Sequence, residues 1–188
     1  GKVPMTPQTK FRMASHSKLF TATAIMQLRE QGKLHLDDSV SKHLPWFALK
    51  DPQVTREITV RDLLTHRAGL PNTDFLWYGQ TNSARTVLER LRLVEPAYSL
   101  RSSFVYQNLM YAAAGAVVEA ASGIPWARFI ETRIFEPLRM SDSIATAETS
   151  TRLAERMQIL ARTDVVTGLL NRAGLNHHMV ERLSQMRP

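Results

Sequence analysis

A serine and a lysine three residues apart are the side chains of this sequence best suited to chemistry. Ser15 and Lys18 open a stretch, residues 15–31, whose apolar residues recur at helical spacing until Gly32 ends it. Residues i and i+3 share one face of a helix, so the lysine amine is expected within reach of the serine hydroxyl. A serine becomes an effective nucleophile when a neighbouring base takes its proton. The pair therefore indicates acyl transfer through a covalent serine.

The same spacing occurs a second time, in a different context. Ser39 and Lys42 follow two aspartates, and Pro45 comes within two helical turns. We interpret Ser39 as a capping or surface serine. From the spacing alone, an N-cap role is as open for Ser15 as a catalytic one, because serine often caps helices.

Longer motifs favour the catalytic interpretation of Ser15. They occupy residues 11–18, 58–71, 104–111 and 134–140. Together and in this order they resemble the serine β-lactamase and penicillin-binding-protein superfamily. The resemblance covers residues 9–147 and is closest to the β-lactamase-related hydrolases and esterases that use a Tyr-x-Asn motif.

The resemblance implies a double displacement through an acyl-enzyme. It makes Ser15 the nucleophile, gives the proton transfers to Lys18 and Tyr106, and has Asn108 hydrogen-bond the substrate or Lys18. Free lysine and tyrosine, with pKa values of ~10.4 and ~10, are protonated at neutral pH, so each needs a lowered pKa to act as a base. The implied substrates are small-molecule or peptide acyl compounds, whether β-lactam, peptide or ester. No cofactor is implied.

A third motif of that family does not occur in the sequence. The family carries Lys or His, then Thr or Ser, then Gly, on a strand that also supplies a backbone N–H to the oxyanion hole. The single Thr-Gly pair here, Thr167 and Gly168, follows two valines. Because losing one oxyanion donor typically costs ~10²–10³ in turnover, we expect an impaired serine hydrolase. The alternative is a non-catalytic pseudoenzyme or interaction module.

The fold expected from periodicity and resemblance is mainly α. We interpret it as the truncated helical portion of the α+β serine β-lactamase and transpeptidase fold, with the central sheet largely missing. Thr59 and Asp62 form a predicted capping pair at one helix start. The expected helices cover residues 15–31, 38–44, 59 onward, 82–93, 108–121 and 125–135; the expected strands cover 10–14 and 103–105, and 71–80 is an expected loop.

The sequence changes character near residue 147, which predicts two parts, 1–147 and 148–188. Residues 152–185 resemble the beginning of a GGDEF domain, the module of diguanylate cyclases, with the match centred on 160–172. The metal-binding aspartates and the signature loop of that family do not occur here, so these residues receive no catalytic role. A fragment of a GGDEF signalling protein is a third hypothesis, and the join suggests a rearranged or artificial sequence.

Composition excludes some functions and leaves others open. The net charge is +7, but the 24 lysines and arginines are scattered with no run of four, so no specific nucleic-acid binding is expected. There is no cysteine, and the histidines lack the spacing of metal ligands. The longest apolar stretch, 109–118, is too short for a transmembrane segment. No signal peptide is visible, although the hydrolase family is typically in the cell envelope or secreted; compartment and oligomeric state stay open.

Overall fold

The structure is a computed structural model that describes residues 13–77 and 82–145. Its helices fall within one compact unit, Arg12–Ser143. The α-helices are α1 (Ser17–Glu30), α2 (Val40–His43), α3 (Pro52–Glu57), α4 (Val60–Leu64), α5 (Ala84–Glu89), α6 (Asn108–Ser122) and α7 (Trp126–Ile130). Short 3-10 turns cover Ala14–His16, Asp74–Leu76 and Arg90–Leu93, and a π turn covers Glu131–Phe135. The predictions for residues 148–188 lie outside the described residues.

The two described ranges contain helices and turns but no strand, and Ser39 and Thr59 form an isolated antiparallel bridge. The strand predicted over 103–105 is therefore wrong. A strand needs a neighbouring strand to satisfy its backbone, whereas Val105 N donates to the carbonyl of His66, in the turn after α4. Met13 and Ala14, the described part of the strand predicted over 10–14, are not in a strand either. None of the described helices is long and apolar enough to cross a bilayer.

Helix α3 is an element that the periodicity did not predict. Asp51 caps it, because its carboxylate accepts hydrogen bonds from Gln53 N and Val54 N. Pro52 occupies the first turn, where a missing N–H costs nothing. The Asp-Pro pair was the available signal for this helix start.

The core lies between α1 and α6, which pack against each other. Helix α1 contributes the fully buried Ala24, Ile25 and Leu28. Helix α6 faces them with an apolar stripe and ends at Gly123, whose φ of 71° gives the left-handed cap. The buried residues of α6 are Leu109, Met110, Ala113, Ala114, Val117 and Val118. This packing sets the first turn of α1 beside the first turn of α6.

Helix α4 begins with the predicted capping box and is tied to the segment that leads into α6. The Thr59 side chain accepts from Asp62 N, and Asp62 accepts in return from Thr59 N. The Asp62 carboxylate also accepts two hydrogen bonds from the Arg101 guanidinium at 2.8 and 3.0 Å. Burial opposes ionisation of Asp62, but the hydrogen bonds from Arg101 and Thr59 outweigh it and hold its pKa below the ordinary value. The backbone of Arg101 continues the link, donating to the carbonyl of Arg67.

Candidate active site

Ser15 lies in the 3-10 turn before α1, where its hydroxyl meets two polar side chains. The Tyr106 hydroxyl donates to Ser15 Oγ at 2.6 Å. Lys18 Nζ donates to the same oxygen at 3.3 Å. Ser15 is exposed and does not cap α1, because the cap position belongs to His16. Ser15 therefore combines access to solvent with hydrogen bonds to a phenol and an amine.

Lys18 connects the first turn of α1 with the first turn of α6. Its ammonium donates to Asn108 Oδ1 at 2.6 Å, so it bridges Asn108 and Ser15. It also lies 4.7 Å from the centroid of the Tyr106 ring and 5.5 Å from that of Tyr111. These aromatic rings attract a cation and so favour this position of the amine.

The Tyr106 phenol is easier to ionise than an ordinary tyrosine. Hydrogen bonding by Lys18 and then by Ser15 lowers its pKa, and these effects outweigh desolvation. The ring is 40% exposed, so the phenol is open to solvent on one side. A phenol with a lowered pKa next to a serine hydroxyl is suited to accept its proton.

His66 supports the backbone on both sides of Tyr106. Its carbonyl accepts from Val105 N at 3.0 Å, and its Nδ1 accepts from Gln107 N at 3.0 Å. The imidazole lies 4.7 Å from the Tyr106 ring, centroid to centroid. Burial, followed by the charge of Lys18, lowers the pKa of His66, so the ring is neutral and its Nδ1 keeps a free lone pair to accept. His66 was not assigned a role from the sequence.

Gln107 fastens the loop that follows Pro71. The side chain is buried, and its Oε1 accepts from Thr73 Oγ1 at 2.8 Å. Its Nε2 donates to the carbonyls of Leu70, at 3.1 Å, and Pro71. These bonds attach the loop to Gln107, which lies between Tyr106 and Asn108 in the chain.

Asp74, carried by this loop, is a site residue that the sequence interpretation missed. Its Oδ1 accepts from Asn108 Nδ2 at 2.9 Å and from Trp77 Nε1 at 3.0 Å. Burial opposes its ionisation, but the hydrogen bonds from Asn108, Trp77 and Asn72 and the charge of Lys18 hold its pKa below the ordinary value. Only the Asn72-x-Asp74 spacing, typical of a turn, marked the place.

The second Ser-x-x-Lys pair has a different environment. Ser39 precedes α2 and accepts from the Ser41 hydroxyl at 3.3 Å, and Lys42 Nζ donates to Asp38 Oδ1 at 2.6 Å. Burial opposes ionisation of Asp38, but hydrogen bonds from Lys42, His35 and His43 hold its pKa well below the ordinary value. Lys42 thus pairs with the carboxylate of Asp38, and we interpret this contact as structural and not catalytic.

The candidate site is defined by the hydrogen bonds that join Ser15, Lys18, Tyr106 and Asn108. A cavity of about 700 Å³ lies beside α6, bordered by Trp46, Leu88 and Trp126, and Ser15 is not among its lining residues. Over the part of the chain that the structure describes, no three His, Asp or Glu side chains are grouped so that they could hold a metal ion. The hydrogen bonds of Tyr106 and Lys18 to Ser15 Oγ fit covalent chemistry by a serine.

Comparison with known proteins gives, for most of the chain, the family that its motifs resemble. The sequence model of the family described as Beta-lactamase matches residues 1–162. The chain is 30% identical over 164 residues to penicillin-binding protein 4 of Amycolatopsis lactamdurans, covering 84% of this chain and 42% of that protein. It is 30% identical over 142 residues to Protein flp of Staphylococcus aureus strain MW2, covering 74% of this chain and 28% of that protein.

Solved structures are similar to the same part of the chain. A penicillin-binding protein from Bacillus halodurans superposes with a TM-score of 0.65 at 29% identity, over 76% of this chain and 46% of that one. D-amino acid amidase from Ochrobactrum anthropi SV3, in complex with D-phenylalanine, gives a TM-score of 0.62 at 29% identity, over 74% of this chain and 39% of that one. The chain thus spans less than half the length of these relatives. These comparisons give no support to the GGDEF resemblance.

Proposed function

The chain belongs to the Beta-lactamase family of serine hydrolases, and on that premise we propose that it forms an acyl-enzyme at Ser15. The observation that carries the proposal is the pair of hydrogen bonds on one oxygen: Ser15 Oγ is 2.6 Å from the Tyr106 hydroxyl and 3.3 Å from Lys18 Nζ. A nucleophile in contact with a base that a third group orients is the arrangement that covalent catalysis requires. Here the base is Tyr106, and the third group is Lys18, which lies against the Tyr106 ring and is held by Asn108.

The first step starts from the ionised form of Tyr106: Ser15 Oγ attacks the substrate carbonyl and its proton passes to the Tyr106 phenolate oxygen. The Lys18 ammonium favours this ionised form, because a cation beside the phenol stabilises the phenolate. Collapse of the tetrahedral intermediate breaks the bond to the leaving group, which takes up the proton. The product of this half-reaction is an ester of Ser15.

In the second step, the Tyr106 phenolate takes a proton from water as that water attacks the Ser15 ester, and it gives this proton to Ser15 Oγ as the serine oxygen leaves. The Lys18 ammonium again stabilises the phenolate. The acid is released and the Ser15 hydroxyl is restored. Deacylation uses the same groups as acylation, because the serine oxygen must now leave with a proton.

The substrate class we propose is a small-molecule or peptide acyl compound, namely a β-lactam, a peptide or an ester. The support comes from the relatives, which include proteins described as penicillin-binding proteins and a D-amino acid amidase. Amide and ester carbonyls share the tetrahedral chemistry that Ser15 would perform. Asn108, one hydrogen bond from Lys18, is also placed to contact such a substrate.

We further propose that the 188-residue chain turns over slowly. Its sequence lacks the Lys/His-Thr/Ser-Gly triplet, and the missing oxyanion donor affects both acylation and deacylation. The alternative, a non-catalytic interaction module, differs in that Ser15 would not react at all.

The test is labelling of the purified chain with a fluorescent penicillin and, separately, with a fluorophosphonate. We expect labelling of the unmodified chain, none of Ser15→Ala, and full labelling of the matched control Ser39→Ala, which removes the serine of the second Ser-x-x-Lys pair. Equal labelling of both variants would reject Ser15 as the nucleophile. Absence of labelling in the unmodified chain would favour the non-catalytic alternative.

A further inference from the structure

Asn108 must present its carbonyl oxygen, and not its amide nitrogen, to Lys18. An ammonium has three donors and no acceptor, so an Asn108 NH2 group in that place would put two donors against each other and remove the hydrogen bond between the two side chains. The amide can rotate by 180° with little change of shape, and its direction is therefore decided by what lies on its other side. That neighbour is Asp74, whose Oδ1 is 2.9 Å from Asn108 Nδ2.

An ionised carboxylate only accepts hydrogen bonds, so Asp74 permits one orientation of Asn108. With the NH2 group toward Asp74, the carbonyl oxygen necessarily faces Lys18 Nζ, where it accepts at 2.6 Å. Asp74 stays ionised, since three hydrogen bonds and the charge of Lys18 outweigh its burial. The chain of contacts then runs Asp74 to Asn108 to Lys18 to Ser15.

Asp74 is itself held from several directions. Trp77 Nε1 donates to its Oδ1 at 3.0 Å, and its own backbone N donates to Asn72 Oδ1 at 3.0 Å. The preceding residue, Thr73, is fully buried and bonded to Gln107. The carboxylate is thus fixed relative to the start of α6, as a group that orients another must be.

We propose that Asp74 is the positioning residue of this site: its carboxylate fixes the Asn108 amide so that Asn108 holds the Lys18 amine against Ser15. The expected effect on Ser15 acylation rests on the proposed function, but the orientation of the Asn108 amide does not depend on it. The hydrogen bonds of Asp74 reach Lys18 and Ser15 through Asn108. Its charge also acts through space on Lys18 and opposes the lowering of the Tyr106 pKa, so the tests must separate the hydrogen bond from the charge.

Two variants separate the hydrogen bonds of Asp74 from its charge. Asp74→Asn keeps an Oδ1 that accepts from Asn108 and Trp77, and the Trp77 donor favours that orientation. Asp74→Ala removes both bonds. We expect Asp74→Ala to slow acylation of Ser15 about tenfold to a hundredfold, the effect of losing a hydrogen bond to a charged group, and Asp74→Asn to stay within about threefold. Asp37→Asn, which removes an exposed carboxylate paired with Arg61, is the control for the change of charge.

The decisive measurement is a double-mutant cycle of Asp74→Ala with Asn108→Ala, read as the rate of Ser15 acylation. If Asp74 acts through Asn108, the difference in acylation rate between Asp74→Ala and Asp74→Asn, which share the loss of charge, disappears once Asn108 is alanine. A merely structural role in the loop gives additive losses, and additivity overturns the proposal.

A second readout does not depend on acylation. In ¹H–¹⁵N spectra of the full chain, the side-chain NH2 of Asn108 should exchange slowly with solvent, and Asp74→Ala should make it fast while Asp74→Asn and Asp37→Asn do not. An Asn108 NH2 signal unchanged in Asp74→Ala would reject the positioning role. If the unmodified chain is not acylated, the proposed function fails and this spectrum still decides the role of Asp74.

Discussion

Tyr106 donates a 2.6 Å hydrogen bond to Ser15 Oγ across a separation of 91 residues in the chain. The contact depends on α1 packing against α6, because Ser15 precedes the first turn of one helix and Tyr106 precedes the first turn of the other. It brings a phenol with a lowered pKa against a serine hydroxyl. The predictions below follow from this contact and from the groups that support it.

Replacing Tyr106 by Phe should remove labelling of Ser15 and leave folding nearly unchanged. The phenol is 40% exposed, so water can replace its hydrogen bond. The matched control is Tyr111→Phe, which removes a half-buried hydroxyl that donates to the carbonyl of Leu64 at 3.1 Å. That variant should lose about 1 kcal/mol of unfolding free energy and keep its labelling. Thermal unfolding beside a labelling assay measures both; a Tyr106→Phe chain that is destabilised yet still labelled would contradict the catalytic role of Tyr106.

Labelling of Ser15 should become faster as the pH rises, with a midpoint below 10.0, the ordinary pKa of the phenol. Lys18 lowers that pKa, so the phenolate forms at a lower pH than in free tyrosine. In Lys18→Met the rate should fall and the midpoint should move up toward the ordinary value. Rates of acylation measured from pH 6 to 10 test this. A midpoint that does not move in Lys18→Met would contradict the role given to Lys18.

The contribution of His66 to the stability of the fold should decrease at acidic pH. Its pKa in the folded chain is below the ordinary 6.5, so the unfolded chain binds more protons as the pH falls through that value. The contribution of neutral His66 to the free energy of unfolding is therefore complete above pH 6.5. It declines below that pH, since a protonated Nδ1 can no longer accept from Gln107 N. His66→Asn suits the comparison because His66 has a φ of 59°, which asparagine tolerates. Urea unfolding at pH 7.5 and 5.5 should show the advantage of the unmodified chain shrinking in acid; an advantage that grows in acid would reject this account.

The elements that the sequence predicted best are those with a local cause. The helix over residues 15–31 is present as the turn Ala14–His16 followed by α1, and the capping box of Thr59 and Asp62 is confirmed. The apolar stripe of Val87, Leu88 and Leu91 is buried, as its spacing predicts for a helix. Such features arise from side chains a few residues apart, so one sequence is enough to see them.

The parts that were missed or wrong depend on distant residues. Asp74 and His66 matter because of what Asn108 and Gln107 bring against them, and no spacing along the chain predicts those contacts. The strand expected over 103–105 failed because that segment bonds to the turn at His66. Helical spacing brought Ser15 and Lys18 together but left an N-cap role open for Ser15, and the family resemblance favoured the catalytic one. The resemblance also gave Tyr106 and Asn108 their roles. The catalytic roles of Ser15, Lys18 and Tyr106 and the substrate-binding role of Asn108 stay predictions.

Turnover by the 188-residue chain should be slow even where labelling is detectable. Without the Lys/His-Thr/Ser-Gly triplet we expect a turnover about 10²–10³ lower than in a relative with a complete oxyanion hole. Single-turnover acylation and steady-state hydrolysis of one ester and one β-lactam should be compared. Ordinary steady-state turnover that Ser15→Ala abolishes would show that other groups serve as the oxyanion hole.

The central claim is that Ser15 is the residue that becomes acylated. The most direct measurement is peptide mass mapping of the chain after incubation with a penicillin or a fluorophosphonate. The account predicts the added mass on Ser15, dependent on Tyr106 and unaffected by Ser39→Ala. The added mass on Ser17 or Ser39 would contradict it.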